Sequence, residues 1–483
     1  MIDLQTIFPE YVANSCQIAN VCYNSQAISV DSVFVALKGT KVDGHKYIQN
    51  ALTNGAKAII CSEVPTNLNN ESLVPIIKVA DPYSTLAYLS ALVNDVQSLS
   101  MKTIGITGTD GKTSTATIIA NLLKKFALKV GYIGTNGISY NDIAVNLECT
   151  TPLAPELSGV LREMEDNKID VLAMETSSHA LATKRVSQIK FDYAIFTNFT
   201  HDHLDFHKTM KNYKLAKLGL FKLLNATGVA VINLDDEASA DFIKAAQPHK
   251  ILTYSLKDSK AELFAQNIEY SIKGMQFTLS YDQQSYSVNT NLLAEFNVYN
   301  ILAAIAVLLD MGYDITKIIN ELASIEAVVG RMELFYNQNR NISVIVDYAH
   351  APNSIANVIS FARKLLPSKV TVITGAVGDG DKSKRSIMGD ISTKYADMTI
   401  FTTDQPLSEE PETIIKAMLK NVTKTNYQII IDRETAIKTA IDNADEKEII
   451  LVLGKGRETQ IKFKNYNIEF CDYEFVKEYL KKL

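Results

Sequence analysis

Short apolar runs alternate with helix-length amphipathic segments along most of this chain. From Lys102 an apolar run, TIGIT, leads through a glycine-containing turn into a helical pattern, KTSTATIIANLLKKF. The runs KVGYIGT, DVLAME, DYAIFTN and VAVINL follow, each set apart by a helical segment. Strands that are apolar on both faces and separated by helices predict a parallel sheet covered on both sides. Between about 262 and 290 the pattern changes to polar/apolar alternation around Lys273-Gly274, which predicts a hairpin at the edge of this unit. A second alternating series begins after Glu326, with SVIVDY, KVTVITG, MTIFTTD, YQIIID and EIILVLG as strands, and predicts a Rossmann-like unit. Ahead of both, the runs SVFVAL and AKAIICS, mixed with helical patterns and crossed by a polar loop, PTNLNNES, read as a small α/β unit. The predicted fold class is α/β in three domains, 1–100, 101–326 and 327–483.

Size agrees, because 483 residues exceed one ordinary hydrophobic core. Hydrophobic content of 47% beside 21% charged residues is that of a globular chain able to bury a core. A net charge of −6 gives no general attraction to nucleic acid or anionic membrane, so any phosphate must be held by a local site. The cysteines Cys16, Cys22, Cys61, Cys149 and Cys471 form no CxxC pair, which argues against zinc or a redox dithiol. The opening MIDLQTIFPEYVANS has no basic region followed by an apolar run, and no stretch approaches the roughly 20 apolar residues of a membrane span. A cytoplasmic protein acting on small molecules is expected, without nucleic acid and without membrane insertion.

The chemistry concentrates at Gly108-Thr109-Asp110-Gly111-Lys112-Thr113-Ser114, between a predicted strand and a predicted helix. There the N–H groups of the turn and helix start form an anion cradle, Lys112 reaches the outer phosphates of ATP, and Thr113 can hold Mg²⁺. The commonest P-loop string would have glycine where Ile106 stands. Glu175 closes the strand DVLAME and His203 follows DYAIFTN; at strand ends of one parallel sheet they could complete the magnesium shell. The plain alternatives are a helix-capping Glu175 and a polar loop histidine.

The ordered strings GTDGKTST, CTTP, METSSHAL, TNFTHDHLDFH, YKLAKLGLF, FNVYNILAA, GRMELF, DYAHAPNS and GKGRE span essentially the whole chain, and together it resembles the Mur ligases. Within that family it is most similar to the branch that adds the third residue of the peptidoglycan stem peptide. The resemblance implies an ATP- and Mg²⁺-dependent ligase, working as a monomer, that joins a free amino acid to UDP-MurNAc-L-Ala-D-Glu through an acyl-phosphate. It gives the phosphates and magnesium to Lys112, Thr113, Glu175 and His203. It makes Lys217 of YKLAK a carbamylated lysine serving a second magnesium, where an exposed helical lysine in an ion pair is the ordinary expectation. Asn297 and Asn300 then lie beside the nucleotide and Arg331 near the phosphates, while Asp347, Tyr348 and His350 close over ATP. Phe296 and Val298 of the same helix are expected only to pack. For the acceptor the likeness points to Ser25, Thr150, Thr151, Ser178 and Arg185, and for the amine to Arg385, Asp404, Gln405, Gly454 and Glu458.

The departures from the family pattern bear on substrate choice. Tyr23-Asn24-Ser25-Gln26 stands where relatives have Asp-Ser-Arg, leaving Ser25 and the Asp43-Gly44-His45 loop for the uracil end. Asp404-Gln405-Pro406-Leu407 stands where diaminopimelate-adding members have DNPR. Leu407 cannot pair with a distal carboxylate, so L-lysine is favoured over meso-diaminopimelate, with L-ornithine also open. Glu409, Glu410 and Glu458 could receive an ammonium, and Arg385 is expected to be free for the α-carboxylate. Gly380 and Arg457 also depart, standing where arginine and histidine are common. The rival readings are a folylpolyglutamate-synthetase-like ligase and a non-catalytic paralogue.

Overall fold

The computed structural model describes residues 1–39, 42–66, 68, 74–147, 149–326 and 328–483. Residues 67 and 69–72 of the polar loop, and residue 327, at which the third domain is expected to begin, lie outside the described residues. The predicted class holds: three large sheets, each with helices, follow one another along the chain.

The first sheet has four parallel strands, Asn20–Cys22, Ser32–Val35, Ala58–Cys61 and Ile76–Lys78, in sequence order. Side chains alternate across it, with Val33, Val35 and Ile60 in one core and Phe34, Ala36 and Ile59 in the other.

The central sheet has eleven strands. Its parallel heart runs Val130–Gly134, Val171–Glu175, Lys102–Thr107, Phe191–Phe196, Leu224–Asn233, Lys250–Ser255. Ile104, Ile106, Ala173 and Ile195 face one core while Leu172, Met174, Ala194 and Phe196 face the other, the two-residue alternation a doubly covered sheet requires. Helix Glu295–Asp310 is buried around almost its whole circumference and packs on helix Lys112–Lys125. The predicted hairpin is present as Leu263–Ser271 paired with Gly274–Tyr281, extended by Gln284–Thr290. A second extension, Gly137–Tyr140 with Ile143–Val145, closes the opposite edge.

The third sheet runs Glu333–Asn337, Ile342–Asp347, Ile449–Leu453, Val370–Thr374, Met398–Phe401, Tyr427–Ile429, with the first pair antiparallel and the rest parallel. Val344, Val346 and Val452 fill one face and Ile345, Val372 and Leu451 the other.

Strand Lys102–Thr107 sits between Val171–Glu175 and Phe191–Phe196, so the chain leaves it on one side and later continues on the other. At such a switch point the loops part and open a crevice beyond the strand ends. The turn Gly108–Ser114 crosses that crevice.

Candidate functional site

The turn is shaped by close approach. A Cβ on Gly108 would collide with Thr197 Oγ1, and one on Gly111, at φ +83°, would stand 2.6 Å from Asn300 Oδ1. Asn198 fastens the turn from the next strand end: Asp110 N–H donates to its Oδ1 at 2.9 Å, its Nδ2 donates to the Asp110 carbonyl at 3.1 Å, and its own carbonyl accepts from Thr109 N–H. The N–H groups of the first helical turn, Lys112 to Ser114, have no intrahelical acceptors and are free to receive an anion with the helix dipole behind them. Lys112 Nζ folds back onto the Gly108 and Thr109 carbonyls at 2.9 and 2.8 Å. Burial lowers its pKa, with Glu175 and Asp110 opposing; an incoming phosphate favours the charged ammonium.

Glu175 ends its strand fully buried and does not cap a helix; Ser177 caps the short helix Ser178–Ala182. Thr113 Oγ1 donates to Glu175 Oε2 at 2.9 Å, and Oε1 accepts from the Tyr132 hydroxyl at 2.7 Å and from Thr135 N–H at 2.8 Å. A Cβ on Gly134 would overlap both Glu175 and Tyr132, so that strand end must be glycine for the carboxylate to reach the turn. His203 has left-handed backbone at φ +54°. Asp202 Oδ1 accepts the His203 N–H at 2.9 Å, and Asp202 Oδ2 lies 3.5 Å from Nε2. Burial pushes the His203 pKa down to about 3 against the pull of Asp202, so a neutral imidazole is available as a ligand. Thr113, Glu175, His203 and Lys217 line one cavity. Among the described residues no three His, Cys, Asp or Glu side chains form a ready-made cage. The donor set nevertheless fits Mg²⁺, which binds proteins through one or two side chains and takes phosphate oxygens and water for the rest.

Lys217 is not the exposed, ion-paired lysine its helical position predicts. It is buried, donates to the Gly108 carbonyl at 2.6 Å and stands 4.4 Å over the Tyr213 ring. Burial, reinforced by Lys112, holds its amine well below the ordinary range.

A second cavity beside the turn is lined by Gly111, Ser114, Asn300, Arg331, Asp347 and Tyr348. Asn300 takes part directly, while Asn297 lies behind it, donating to the Leu293 carbonyl and accepting from Asn300 Nδ2 at 2.9 Å. The expectation that Phe296 only packs is corrected, since it too lines this cavity; Val298 is core. Arg331 crosses from the third domain, with Nη2 3.4 Å from Thr113 Oγ1 and its guanidinium 4.3 Å over the Tyr348 ring. Asp347 accepts the Met332 and Ala349 N–H groups, both at 2.8 Å, and so fixes the backbone beside Arg331. His350, bonded through Nδ1 to the Tyr348 carbonyl, faces the cavity of Lys217 rather than this one.

From the first domain a groove lined by Asn24, Ser25, Gln26, Gly44 and Tyr83 runs to Arg185 and His179, which also line the Lys217 cavity. Asp43 and His45 instead bond each other, and His45 reaches Ser62. At the junction Thr150 Oγ1 lies 3.2 Å from Thr135 Oγ1, Thr151 Oγ1 donates to the Glu175 carbonyl, and Arg185 donates to the Thr151 carbonyl at 2.7 Å. Ser178 Oγ is 3.0 Å from His207 Nε2.

Asp404, Gln405, Gly454 and Glu458 gather at the carboxyl ends of the third sheet, though not in the roles expected of each. Asp404 is buried, its Oδ2 has no hydrogen-bond partner, and a Cβ on Gly454 (φ +118°) would overlap that oxygen. Burial raises its pKa to about 6, with Arg433 opposing and Glu458 adding. Beneath, Arg433 grips Asp472 through two contacts of 2.7 Å and donates to the Thr403 and Leu453 carbonyls, tying two strand ends together. Gln405 spends its whole amide on its own chain: Nε2 donates to Glu458 Oε2 and the Gln460 carbonyl, and Oε1 accepts from Lys462 N–H at 2.7 Å. It therefore locks the hairpin Gln460–Lys462/Asn467–Glu469 and does not face a substrate. Leu407, half-buried, donates its N–H to the Lys462 carbonyl. Arg385 is not free for a carboxylate: it is buried and grips Glu409 at 3.0 and 2.8 Å. That hydrogen-bonded guanidinium, with Lys382, holds the Glu409 pKa at about 2 and removes Glu409 as an ammonium acceptor. The sequence alone does not single out Tyr132, Asn198, Asp202 and Lys384; Asn198 follows the central strand Phe191–Phe196, where a parallel sheet collects ligands, whereas Tyr132 reaches Glu175 from the middle of its strand.

Models of the Mur ligase middle domain, the glutamate ligase domain of Mur ligases and the Mur ligase family catalytic domain match residues 106–308, 330–456 and 17–94. The chain is 37% identical over 468 residues to UDP-N-acetylmuramoyl-L-alanyl-D-glutamate--2,6-diaminopimelate ligase 1 of Clostridium acetobutylicum, covering 97% of this chain and 95% of that protein. It is 39% identical over 463 residues to the ligase of the same substrates from Bacillus velezensis, covering 95% and 93%. A solved UDP-N-acetylmuramoyl-L-alanyl-D-glutamate--2,6-diaminopimelate ligase superposes with a TM-score of 0.70 at 27% identity, over 100% of this chain and 99% of the other. The MurF ligase of Thermotoga maritima, in complex with ADP, shares the fold with a TM-score of 0.64 at 20% identity, over 96% and 97%. Among the described residues no helix is long and apolar enough to cross a membrane. With relatives this similar over nearly its whole length and three domain models in order, the chain belongs to the Mur ligase family.

Proposed function

We propose that this ligase joins a free amino acid, L-lysine, to the D-glutamate carboxylate of UDP-MurNAc-L-Ala-D-Glu with hydrolysis of ATP to ADP and phosphate. The observation that carries the reading is the groove that runs from Ser25 past Arg185 into the cavity of Lys112, Glu175 and Lys217. Three domains dividing near 100 and 326 then hold the uridine end, the ATP and the amine, and a monomer carries every residue the reaction uses.

The acceptor carboxylate attacks the γ-phosphorus, the bond to the β-phosphate oxygen breaks and ADP leaves. Lys112 and the first-turn N–H groups meet the charge that builds on the transferring oxygens. Bound magnesium, held by Thr113, Glu175 and His203, would screen the two anions from each other. Arg185 holds the acceptor in line. The amine nitrogen then attacks the acyl carbon, the C–N bond forms, phosphate departs with the C–O pair and the surplus proton passes to solvent. Arg331, stacked on Tyr348, covers the junction and limits the access of water to the acyl-phosphate.

Leu407 offers no cation for a distal carboxylate, whereas the unpartnered Asp404 oxygen is an acceptor for an ammonium. The names of the relatives favour meso-diaminopimelate as the second reading. The deciding test measures phosphate release with Mg·ATP and acceptor, offering L-lysine, L-ornithine and meso-diaminopimelate separately, and weighs each product. Diaminopimelate preference would keep the ligase and remove Leu407 from the argument; no release with any amine would overturn the ligase reading. On the same assay Leu407→Arg is expected to raise diaminopimelate use relative to lysine by about 10-fold, the worth of one charge-assisted contact.

Asp404 also sets a pH dependence. Its carboxyl, raised to about 6, is ionised above that pH and neutral below. The KM for the amino acid should therefore climb as pH falls through about 6 with the KM for ATP unchanged, and Asp404→Asn should flatten that climb. A climb that survives the substitution would take Asp404 out of amine recognition.

A further inference from the structure

Among the described residues, two groups of polar side-chain contacts join the middle and third domains away from Arg331. The remote one packs Lys364 Nζ against Glu295 Oε2 at 2.6 Å and over the Tyr270 ring. The near one joins the turn after strand Phe191–Phe196 to the third-domain loop 379–385. Lys384 Nζ lies 3.3 Å from Asp202 Oδ1, with only 11% and 7% of the two side chains exposed. Beside it His201 Nε2 lies 3.3 Å from Asp381 Oδ2 and 3.5 Å from Ser383 Oγ.

One end of the buried pair adjoins His203 and the other adjoins a buried ion pair of the third domain. Asp202 takes the N–H of His203 and lies against its ring, so whatever fixes Asp202 fixes the imidazole. Lys384 immediately precedes Arg385, whose guanidinium donates to the Val377 carbonyl and to Glu409 and so ties the loops around it together. The near pair therefore fixes the third-domain loop 379–385 against the turn carrying His203, which lines the cavity of Lys112 and Lys217.

We propose that Lys384 is a positioning residue: through Asp202 it holds the third-domain loop 379–385 against the His203 turn, so that the acyl-phosphate meets the amine rather than water. The inference rests on the ligase reading and names the device that couples its two half-reactions. In the coupled reaction one phosphate is released per amide bond. When the loop is loose, water attacks the same acyl carbon, a C–O bond forms, phosphate leaves and the acceptor carboxylate is regenerated, so ATP is consumed without product.

The test compares wild type, Lys384→Met and Lys384→Arg for phosphate release and ligated product in one reaction, with melting temperature as a control on folding. Wild type should give one phosphate per product, and if it gives neither the ligase reading fails first. Lys384→Met is expected to lower product formation by about 10- to 100-fold, the effect of a displacement of about 1 Å, and to raise the phosphate-to-product ratio well above one. Lys384→Arg should restore most of the coupling. Product formation that stays at the wild-type rate, or phosphate and product that fall in strict proportion, overturns the proposal. If Lys384→Met does not fold, Lys384→Gln is read by the same ratio.

Discussion

Replacing Lys112 by alanine is expected to lower phosphate release and ligation together by at least about 10²–10³-fold, the loss seen when one preorganised donor to a developing anion is removed. Among the described residues its hydrogen bonds go to the Gly108 and Thr109 carbonyls of its own loop, so the fold has little stake in them. Freeing those carbonyls costs about 1–3 kcal/mol at most, and water entering the cavity offsets part of that. The melting temperature should accordingly move little while turnover collapses. Steady-state phosphate release beside a thermal melt decides it, and near-normal turnover would separate the turn from the chemistry.

Lys217→Ala should be nearly as damaging and should respond to something Lys112→Ala does not. Burial and the neighbouring Lys112 lower the Lys217 pKa and so favour the neutral amine; we propose that this amine attacks carbon dioxide, in which case an N–C bond would form, a proton would be lost, and the lysine would end in a carboxylate. A carboxylate there has Lys112 beside it and a cavity open to a second cation. Alanine leaves room for a small acid at the same place, so acetate or formate should recover part of the activity in Lys217→Ala and none in Lys112→Ala. Rescue in neither, with activity unchanged by the alanine, would leave Lys217 as a packing residue on Tyr213.

The strands that build the two functional sheets are legible because their apolar runs are buried on both faces, as in Lys102–Thr107 and Ile449–Leu453. Strands Gly137–Tyr140 and Ile143–Val145 are not, because the outer one is exposed and their pairing depends on a turn with Asn141 at φ +48°. Gln284–Thr290 is likewise polar at most positions and is set by Asp282 and Gln283, both left-handed. In the site, Lys112 and Thr113 are readable because the strand–turn–helix they belong to is local in sequence and puts both at the start of the helix. Arg385 is not, because its occupancy depends on Glu409, 24 positions away along the chain and adjacent only in the fold. Asn297 and Asn300 illustrate the limit within one helix: three residues apart, one reaches the cavity and the other stands a turn deeper.

The closed amide of Gln405 has a consequence for substrate choice. On the function proposed above, Gln405 would set the amine site through the hairpin it bonds, by way of the Gln460 carbonyl and the Lys462 N–H, and so apart from the Gly108–Ser114 turn. Mutations in the turn of that hairpin can reshape the pocket without touching Lys112, Glu175 or Arg185. On that reading, substitutions in the hairpin would change the choice of amino acid while leaving the ATP turn as it is.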